Sequence, residues 1–346
     1  MTGETDTAPS RDHAGSAGTG VRAVARADAA PDPAVSLSPG WTVQAPVTAD
    51  LERVFAVIAA SDLAEFGEPD YTLDDFKEEW ETTDLASHAW MALTPDGEVA
   101  GFAQAHHSED RSRVDSEGYT HPAHYGRGVG TALLALIEAR ARADTAGVTG
   151  DERPVLKNYI NTNNPDAVSL LGRAGFEPAR HFFRMRRTLD PAVPPEPATW
   201  PEGIHVVACR DRADQERLYV ALDEAFQDHW GYYPESFEEW FAHHATSHGD
   251  PALWFMALDG EEIAGLAVLG HQLGGGWVKS LAVRRPWRNR GLGAALLAHA
   301  FETFWRRGTH VVGLGVDTES PTGATRLYER AGMEPVRLLA TYHKTL

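Results

Sequence analysis

One cysteine, Cys209, stands in a chain of 346 residues. A disulfide within the chain is impossible, which points to a reducing, cytoplasmic setting. The lone thiol reads as a small buried hydrophobe. No apolar run approaches the roughly 18 residues that a membrane-spanning helix needs. No apolar core follows a basic start, so no secretory signal is expected. Basic charge is scarce: 31 Lys and Arg stand against 50 Asp and Glu, a formal net charge of −19. A polyanion binder needs a basic face, so this charge disfavours nucleic acid as a partner. What remains is an ordinary soluble composition, 42% hydrophobic and 23% charged, at a length of about two domains. Acidity of this size aids solubility and steers cationic small molecules.

Residues 1–40 are rich in Ala, Gly, Asp, Thr, Ser and Pro and lack apolar periodicity, which predicts a disordered leader. Pro191, Pro194, Pro195, Pro197 and Pro201 crowd residues 190–202. They forbid helix and deprive a sheet of donors, so this stretch is a stiff linker. The flanking pieces, 41–189 and 203–346, resemble each other. Gly126-Arg127-Gly128-Val129-Gly130-Thr131 matches Asn289-Arg290-Gly291-Leu292-Gly293-Ala294, and Leu170-Leu171-Gly172-Arg173-Ala174-Gly175 matches Leu327-Tyr328-Glu329-Arg330-Ala331-Gly332. Two strings in the same order, each offset by roughly 160 residues, mark a domain-sized repeat.

Each half reads as mixed α/β. In the second, strands are expected at Ile204–Ala208, Leu253–Leu258, Ile263–Leu269, Trp277–Val283 and Val311–Val316. Leu218, Leu222, Ala225 and Phe226 share a helical face. Further helices are expected from about Gly293 to Arg307, closed by Gly308, and from Pro321 to Ala331. In the first half, strands fall at Trp90–Leu93, Val99–Ala105 and Val155–Ile160, with helices from Thr131 and Pro165. A strand running through a Gly-rich turn into a helix N-terminus is an anion site, because the first helical N–H groups have no partner within the helix. A dinucleotide fold would need Gly-x-Gly-x-x-Gly after its first strand, and a nucleotide-phosphate loop a Gly-Lys-Ser/Thr ending; neither is present.

Arg288-x-x-Gly291-x-Gly293 after an apolar strand resembles the acyl-CoA pyrophosphate loop of the GNAT N-acetyltransferase superfamily. Asp317-x-x-Ser320-x-x-Gly323-Ala324-x-x-Leu327-Tyr328 resembles that superfamily's second CoA-side motif. The resemblance implies two tandem GNAT-type domains, each a mixed, mostly antiparallel sheet flanked by helices. It implies acetyl-CoA as donor substrate and no metal. Main chain around Arg288, Asn289, Arg290, Gly291, Leu292, Gly293 and Ala294 would hold the pyrophosphate, and that of Leu281, Ala282 and Val283 the pantetheine arm. Ser320 stands where the family often has Asn, and Tyr328 where it often places the acid for the departing thiolate. In the first half Gly126, Arg127, Gly128, Gly130 and Thr131 keep the loop, and Asn161 and Asn164 match the second motif. Leu171, however, replaces Tyr328 and cannot protonate a thiolate. The expectation is a CoA-competent, non-catalytic first half, although Asp115 and Glu117 there are possible bases.

An alkylammonium with a lysine-like pKa near 10.4 must lose a proton before attack, which costs about 4–5 kcal/mol at pH 7. A base must take that proton. The second half offers Asp228 and His229 and, further on, Asp317. Glu224, Trp230, Tyr232 and Tyr233 lie close to the first two in sequence and are read as lining the acceptor site. The expected reaction is direct acetyl transfer to a primary amine of a small molecule, such as an amino sugar, in a monomer or homodimer. A non-catalytic acyl-CoA sensor and a peptide acceptor are the alternatives. His106, His107, His121 and His124 show no metal-ligand spacing and read as surface residues.

Overall fold

The computed structural model describes residues 37–148, 153–245, 249–320 and 322–346. Most of the expected leader lies outside the described residues, as does Pro321. In chain order the elements are β1 (Thr42–Gln44), α1 (Leu51–Phe66), α2 (Leu73–Thr82), α3 (Leu85–His88), β2 (Ala89–Leu93), β3 (Val99–His107), β4 (Arg113–Thr120), α4 (Val129–Asp144), β5 (Val155–Asn161), α5 (Pro165–Arg173) and β6 (Glu177–Thr188). The second half follows with β7 (Ile204–Ala208), α6 (Arg212–Phe226), α7 (Phe237–His244), β8 (Gly249–Asp259), β9 (Glu262–Gln272), β10 (Gly275–Val283), α8 (Leu292–Arg306), β11 (Val311–Asp317), α9 (Ala324–Arg330) and β12 (Glu334–Thr345). Residues 190–202 carry neither helix nor strand. Among the described residues, no helix is long and apolar enough to cross a membrane.

Among the described residues, twelve strands form one sheet, in the order β1-β2-β3-β4-β5-β12-β6-β11-β10-β9-β8-β7. The last strand of each half is exchanged. β6 runs antiparallel to β11, from Val311↔Thr188 to Asp317↔Phe182, and β12 is inserted between β5 and β6. The hydrophobic cores follow the exchange. Met185 and Leu189 of the first half belong to the core beneath α8, while Ala340 and Tyr342 of the second half belong to the core beneath α4. Charge fastens the junction: the β6 residue Arg186 and the β12 residue Arg337 both reach Glu68, at 2.6 and 3.1 Å, and Arg184 and Arg337 both pair with Asp70.

Amphipathic periodicity seats the helix that positions the site. Leu292, Ala295, Leu296, Leu297, Ala300, Phe301 and Phe304 of α8 are buried. They follow the i, i+3, i+4 spacing of one helical face. Each large side chain among them contributes about 1.5–3 kcal/mol by leaving water. On the sheet, β10 pairs with β11 in parallel only at Gly276↔Val312 and Trp277↔Gly313. Against β9 its register slips at Lys279. An extra residue in one strand bends and twists it, so β10 and β11 part after Trp277 and leave a V-shaped opening.

Candidate functional site

That opening is the mouth of a cavity of about 1720 Å³, bounded by β10, β11, the start of α8 and α9. Its floor is the Gly-rich turn. Asn289 (φ 63°) and Gly291 (φ 85°) both take the left-handed conformation. Asn tolerates that region better than other side-chain-bearing residues, and Gly enters it freely. Gly126 (φ 73°) and Gly128 (φ 82°) repeat the same two turns before α4. No side chain caps α8, so its first N–H groups are open to the cavity as an anion site. Gly293 has a different task. A Cβ there would come within 3.3 Å of Leu327 Cδ2, so this glycine sets how closely α8 and α9 approach.

Leu281, Ala282, Val283, Arg288, Asn289, Gly291, Leu292, Gly293, Ala294, Ser320 and Tyr328 all line the cavity, together with Asp228, His229, Trp230 and Asp317. Arg290 is exposed and does not line it. The Arg288 side chain turns inward as a brace, with Nε donating to Val283 O at 3.0 Å. Ser320 Oγ pairs with Thr322 Oγ1 at 2.9 Å. Pro195 and Glu196 also line the cavity, so the proline-rich segment forms part of its wall.

The base candidates separate by their partners. Asp228 is bound by Arg285 at 2.5 and 3.1 Å, and the guanidinium holds its carboxyl below the ordinary value. A carboxylate so held is a weak base. Both Asp317 oxygens accept from Arg180 Nε at 2.9 Å, and Glu319 N–H donates to the same group at 2.9 Å. Asp317 therefore serves as the socket for a first-half arginine while still lining the cavity. His229 is half-buried, with its ring 4.2 Å from that of Phe226. Burial, and then the nearby Arg288 charge, push its pKa down, so the imidazole is neutral at pH 7 and able to accept a proton. Tyr328 is buried, and desolvation lifts its phenol to about 12.

The expected acceptor-site residues part company at Gly231, whose φ of 72° reverses the chain. Trp230 stays at the cavity, stacked on His343 at 5.4 Å and flanked by Phe182, Lys157 and Arg180, all from the first half or the exchanged strand. Tyr232 instead bonds Asp223 at 2.6 Å, and Tyr233 lies under Arg113 at 5.2 Å. Glu224 is spent on Arg284 at 2.7 Å. Unlike Trp230, these three do not line the cavity.

The first half differs in its interior. Arg127 lies over the Trp41 ring at 5.9 Å, and Gly130 packs against Leu170 as Gly293 does against Leu327. Thr131 is exposed on the first turn of α4. Asn164 caps α5 through Ala167 N–H at 3.0 Å and donates to Glu65 at 2.7 Å. Leu171 is buried. Near β4 lies a polar recess that the sequence signalled only through Glu117. Its floor is the fully buried Gln104, whose Nε2 donates to Glu79 at 2.5 Å and to Glu117 at 2.7 Å. Tyr119 donates to Glu117 at 3.1 Å, Tyr71 donates to Glu79, and His106 stands 3.5 Å from Glu79. Burial, and then the Glu79 charge, push Glu117 up to about 7.

Comparison with known proteins agrees with this architecture. The Acetyltransferase (GNAT) family model matches residues 53–176 and again 216–333. A mycothiol acetyltransferase of Geodermatophilus obscurus is 32% identical over 250 residues, covering 70% of this chain and 77% of its own. A second, from Kineococcus radiotolerans, is 34% identical over 244 residues, covering 68% and 75%. Among solved structures, a GCN5-related N-acetyltransferase from Sphaerobacter thermophilus superposes with a TM-score of 0.79 at 34% identity, covering 90% of this chain and 97% of that one. A tandem GNAT protein from the clavulanic acid biosynthesis pathway shares the fold at a TM-score of 0.67 and 13% identity, covering 88% and 98%. With both halves matched and the acyl-CoA-type turn built twice, the chain belongs to the GNAT acetyltransferase family and is a tandem-domain acyltransferase.

Proposed function

We propose that the second half transfers the acetyl group of acetyl-CoA directly to a primary amine of a small molecule. The observation that carries this reading is the cleft itself. Beyond Trp277 no strand covers the β11-facing edge of β10, so its main chain is free to pair with an extended amide arm. At the end of that edge lie the left-handed turn and the uncapped start of α8. Several N–H groups bonded to charged oxygens there contribute roughly 1.5–3 kcal/mol each. Main-chain donors of β10 also suit the oxygen that becomes charged as the amine attacks.

His229 takes the ammonium proton, being neutral and at the cavity wall. Tyr328 supports the departing thiolate. Its phenol near 12 is a weaker acid than a thiol near 8.5, so full transfer would be uphill by roughly 5 kcal/mol. Tyr328 therefore acts as a hydrogen-bond donor to the departing thiolate, and the proton that the thiolate finally takes is the second one the amine nitrogen loses as the amide forms. Phe182 and Trp230 form the acceptor end, which makes the acceptor pocket a joint product of the two halves.

The test is calorimetric titration with acetyl-CoA, followed by an amine panel read by CoA release. Saturable binding that Gly291→Glu abolishes or halves, with turnover on at least one small amine, supports the reading. Binding without turnover on any amine would make the protein an acyl-CoA sensor, and turnover on peptides alone would overturn the small-molecule acceptor. One observation favours a second reading, in which the first half also handles an amine: the near-neutral Glu117 carboxyl beside β4. Glu117→Gln abolishing turnover while His229→Ala leaves it intact would move the chemistry there.

A further inference from the structure

The ends of three elements in the first half converge on one point outside both clefts. His88 closes α3, His107 closes β3 and Asp144 closes α4, and one ligand atom from each lies within 4.8 Å of the others. The orientation of each side chain is already set. The Ser87 Oγ proton goes to Asp84, so the same oxygen accepts from His88 Nδ1–H at 3.1 Å. This directs His88 Nε2 at Asp144 Oδ2, 3.1 Å away. His107 Nδ1 donates to Ser108 O at 3.0 Å, which leaves its Nε2 available as a ligand atom. Asp144 is buried, and its other oxygen, Oδ1, is held by Arg140.

We propose that His88 Nε2, His107 Nε2 and Asp144 Oδ2 form a binding site for a borderline divalent metal of the zinc class. Two imidazoles and one carboxylate suit such an ion, with a fourth position for water. Imidazoles whose far nitrogen already donates to oxygen, and a carboxylate whose second oxygen is anchored, are the outer contacts that metal-binding residues need. The 3.1 Å separation of His88 Nε2 and Asp144 Oδ2 is close to a tetrahedral edge for bonds of about 2.0–2.1 Å. His107 is exposed and supplies the remaining adjustment. With Nδ1 committed as a donor, His88 Nε2 satisfies the facing carboxylate only through a proton or a metal. The groups facing it are Asp84, His107, Asp144 and Arg140, with Arg111 bonded to the Asp144 carbonyl at 3.3 Å. The site lies at the C-terminal end of α4, a full helix of about 24 Å from the Gly126–Gly128 turn. Its role is to clip three element ends together, away from the acetyl-transfer cleft. No short-range sequence spacing announces it, since the three ligands come from separate elements.

The experiment uses the full chain, stripped with a chelator and titrated with zinc alone by calorimetry, then with cobalt(II) to read visible d–d bands. Expected is one saturable site, weakened at least about tenfold by His107→Ala and by His88→Gln. His124→Ala, which removes an imidazole elsewhere, should leave the site unchanged. The exposed His107→Ala should keep the metal-free melting temperature of the parent, so a failure of His88→Gln to fold would not rescue the proposal. No saturable binding, or equal affinity in His107→Ala, overturns it without touching the acetyl-transfer reading.

Discussion

Gly291 and Gly293 sit two residues apart in one turn, and the structure gives them unrelated reasons to be glycine. At Gly291 a Cβ would meet nothing within 4 Å, yet φ is +85°. Gly291→Ala therefore meets no steric neighbour and is opposed only by the backbone, at about 1–2 kcal/mol for an L-residue in the left-handed region. If the free loop relaxes to escape that strain, the cost returns when ligand rebuilds the turn, and acetyl-CoA affinity falls roughly 5- to 30-fold. Gly293 is helical, and alanine there is favoured by about 0.5–1 kcal/mol over glycine. The added Cβ presses on the mobile tip of Leu327 at 3.3 Å, which offsets part of that gain and displaces the neighbour of Tyr328. Gly293→Ala should thus melt within a few degrees of the parent, bind acetyl-CoA nearly as well and turn over more slowly. Calorimetry, thermal melting and steady-state kinetics on both variants separate the two effects. Equal losses of affinity in the two variants would refute the backbone argument. Gly128→Ala, at the matching turn of the first half, should leave binding in the second half unchanged.

Tyr328→Phe removes a hydrogen bond to a developing charge worth roughly 1.5–3 kcal/mol, so kcat should fall about 10- to 100-fold with little change in KM for acetyl-CoA; unchanged kcat would remove Tyr328 from the mechanism. Because the His229 pKa lies below its ordinary value, kcat/KM should lose activity only on the acid side of pH 6.5, and His229→Gln should abolish that limb. Glu117 is raised from 4.5 to about 7, so the folded protein holds its proton over a window in which the unfolded chain does not. Stability should then be greatest below pH 4.5 as far as this group is concerned, and decline as pH rises to 7. Glu117→Gln should flatten that decline in melting temperature. Deleting residues 334–346 takes Leu339, Ala340 and Tyr342 from buried positions in the first-half sheet. With about 1.5–3 kcal/mol for each of the two large side chains, Leu339 and Tyr342, the loss is about 3–6 kcal/mol, a large share of a domain stability of about 5–15 kcal/mol; thermal melting should show the first half destabilised as well as the second.

The turns and the elements around them were legible because their chemistry is local. The strands ending at Ala208 and Val283 and the helix closed by Gly308 fall where periodicity and Gly signals place them. The partners of β6 and β12 were not legible. The run Glu334–Thr345 has strand character, but nothing in its alternation says that it pairs with residues about 180 positions earlier rather than with its own half. At the site, proximity in sequence misled at Gly231, where one positive φ sends Trp230 toward the cavity and Tyr232 and Tyr233 away. The arginines that bind Asp317 and Asp228 come from distant elements, so sequence reasoning could not see those contacts. Of the Gln104–Glu79–Glu117 recess only Glu117 was visible, since its members come from α2, β3 and β4.

The inserted position of β12 also governs how the chain emerges during synthesis. The first half is complete in sequence by Leu189, yet the slot between β5 and β6 is filled only by residues 334–345, made long after it. Until then two strands expose unpaired edges, which are templates for pairing with other chains. The first domain made is thus the one that must wait, and a helper that shields strand edges would act on the nascent chain rather than on the finished enzyme.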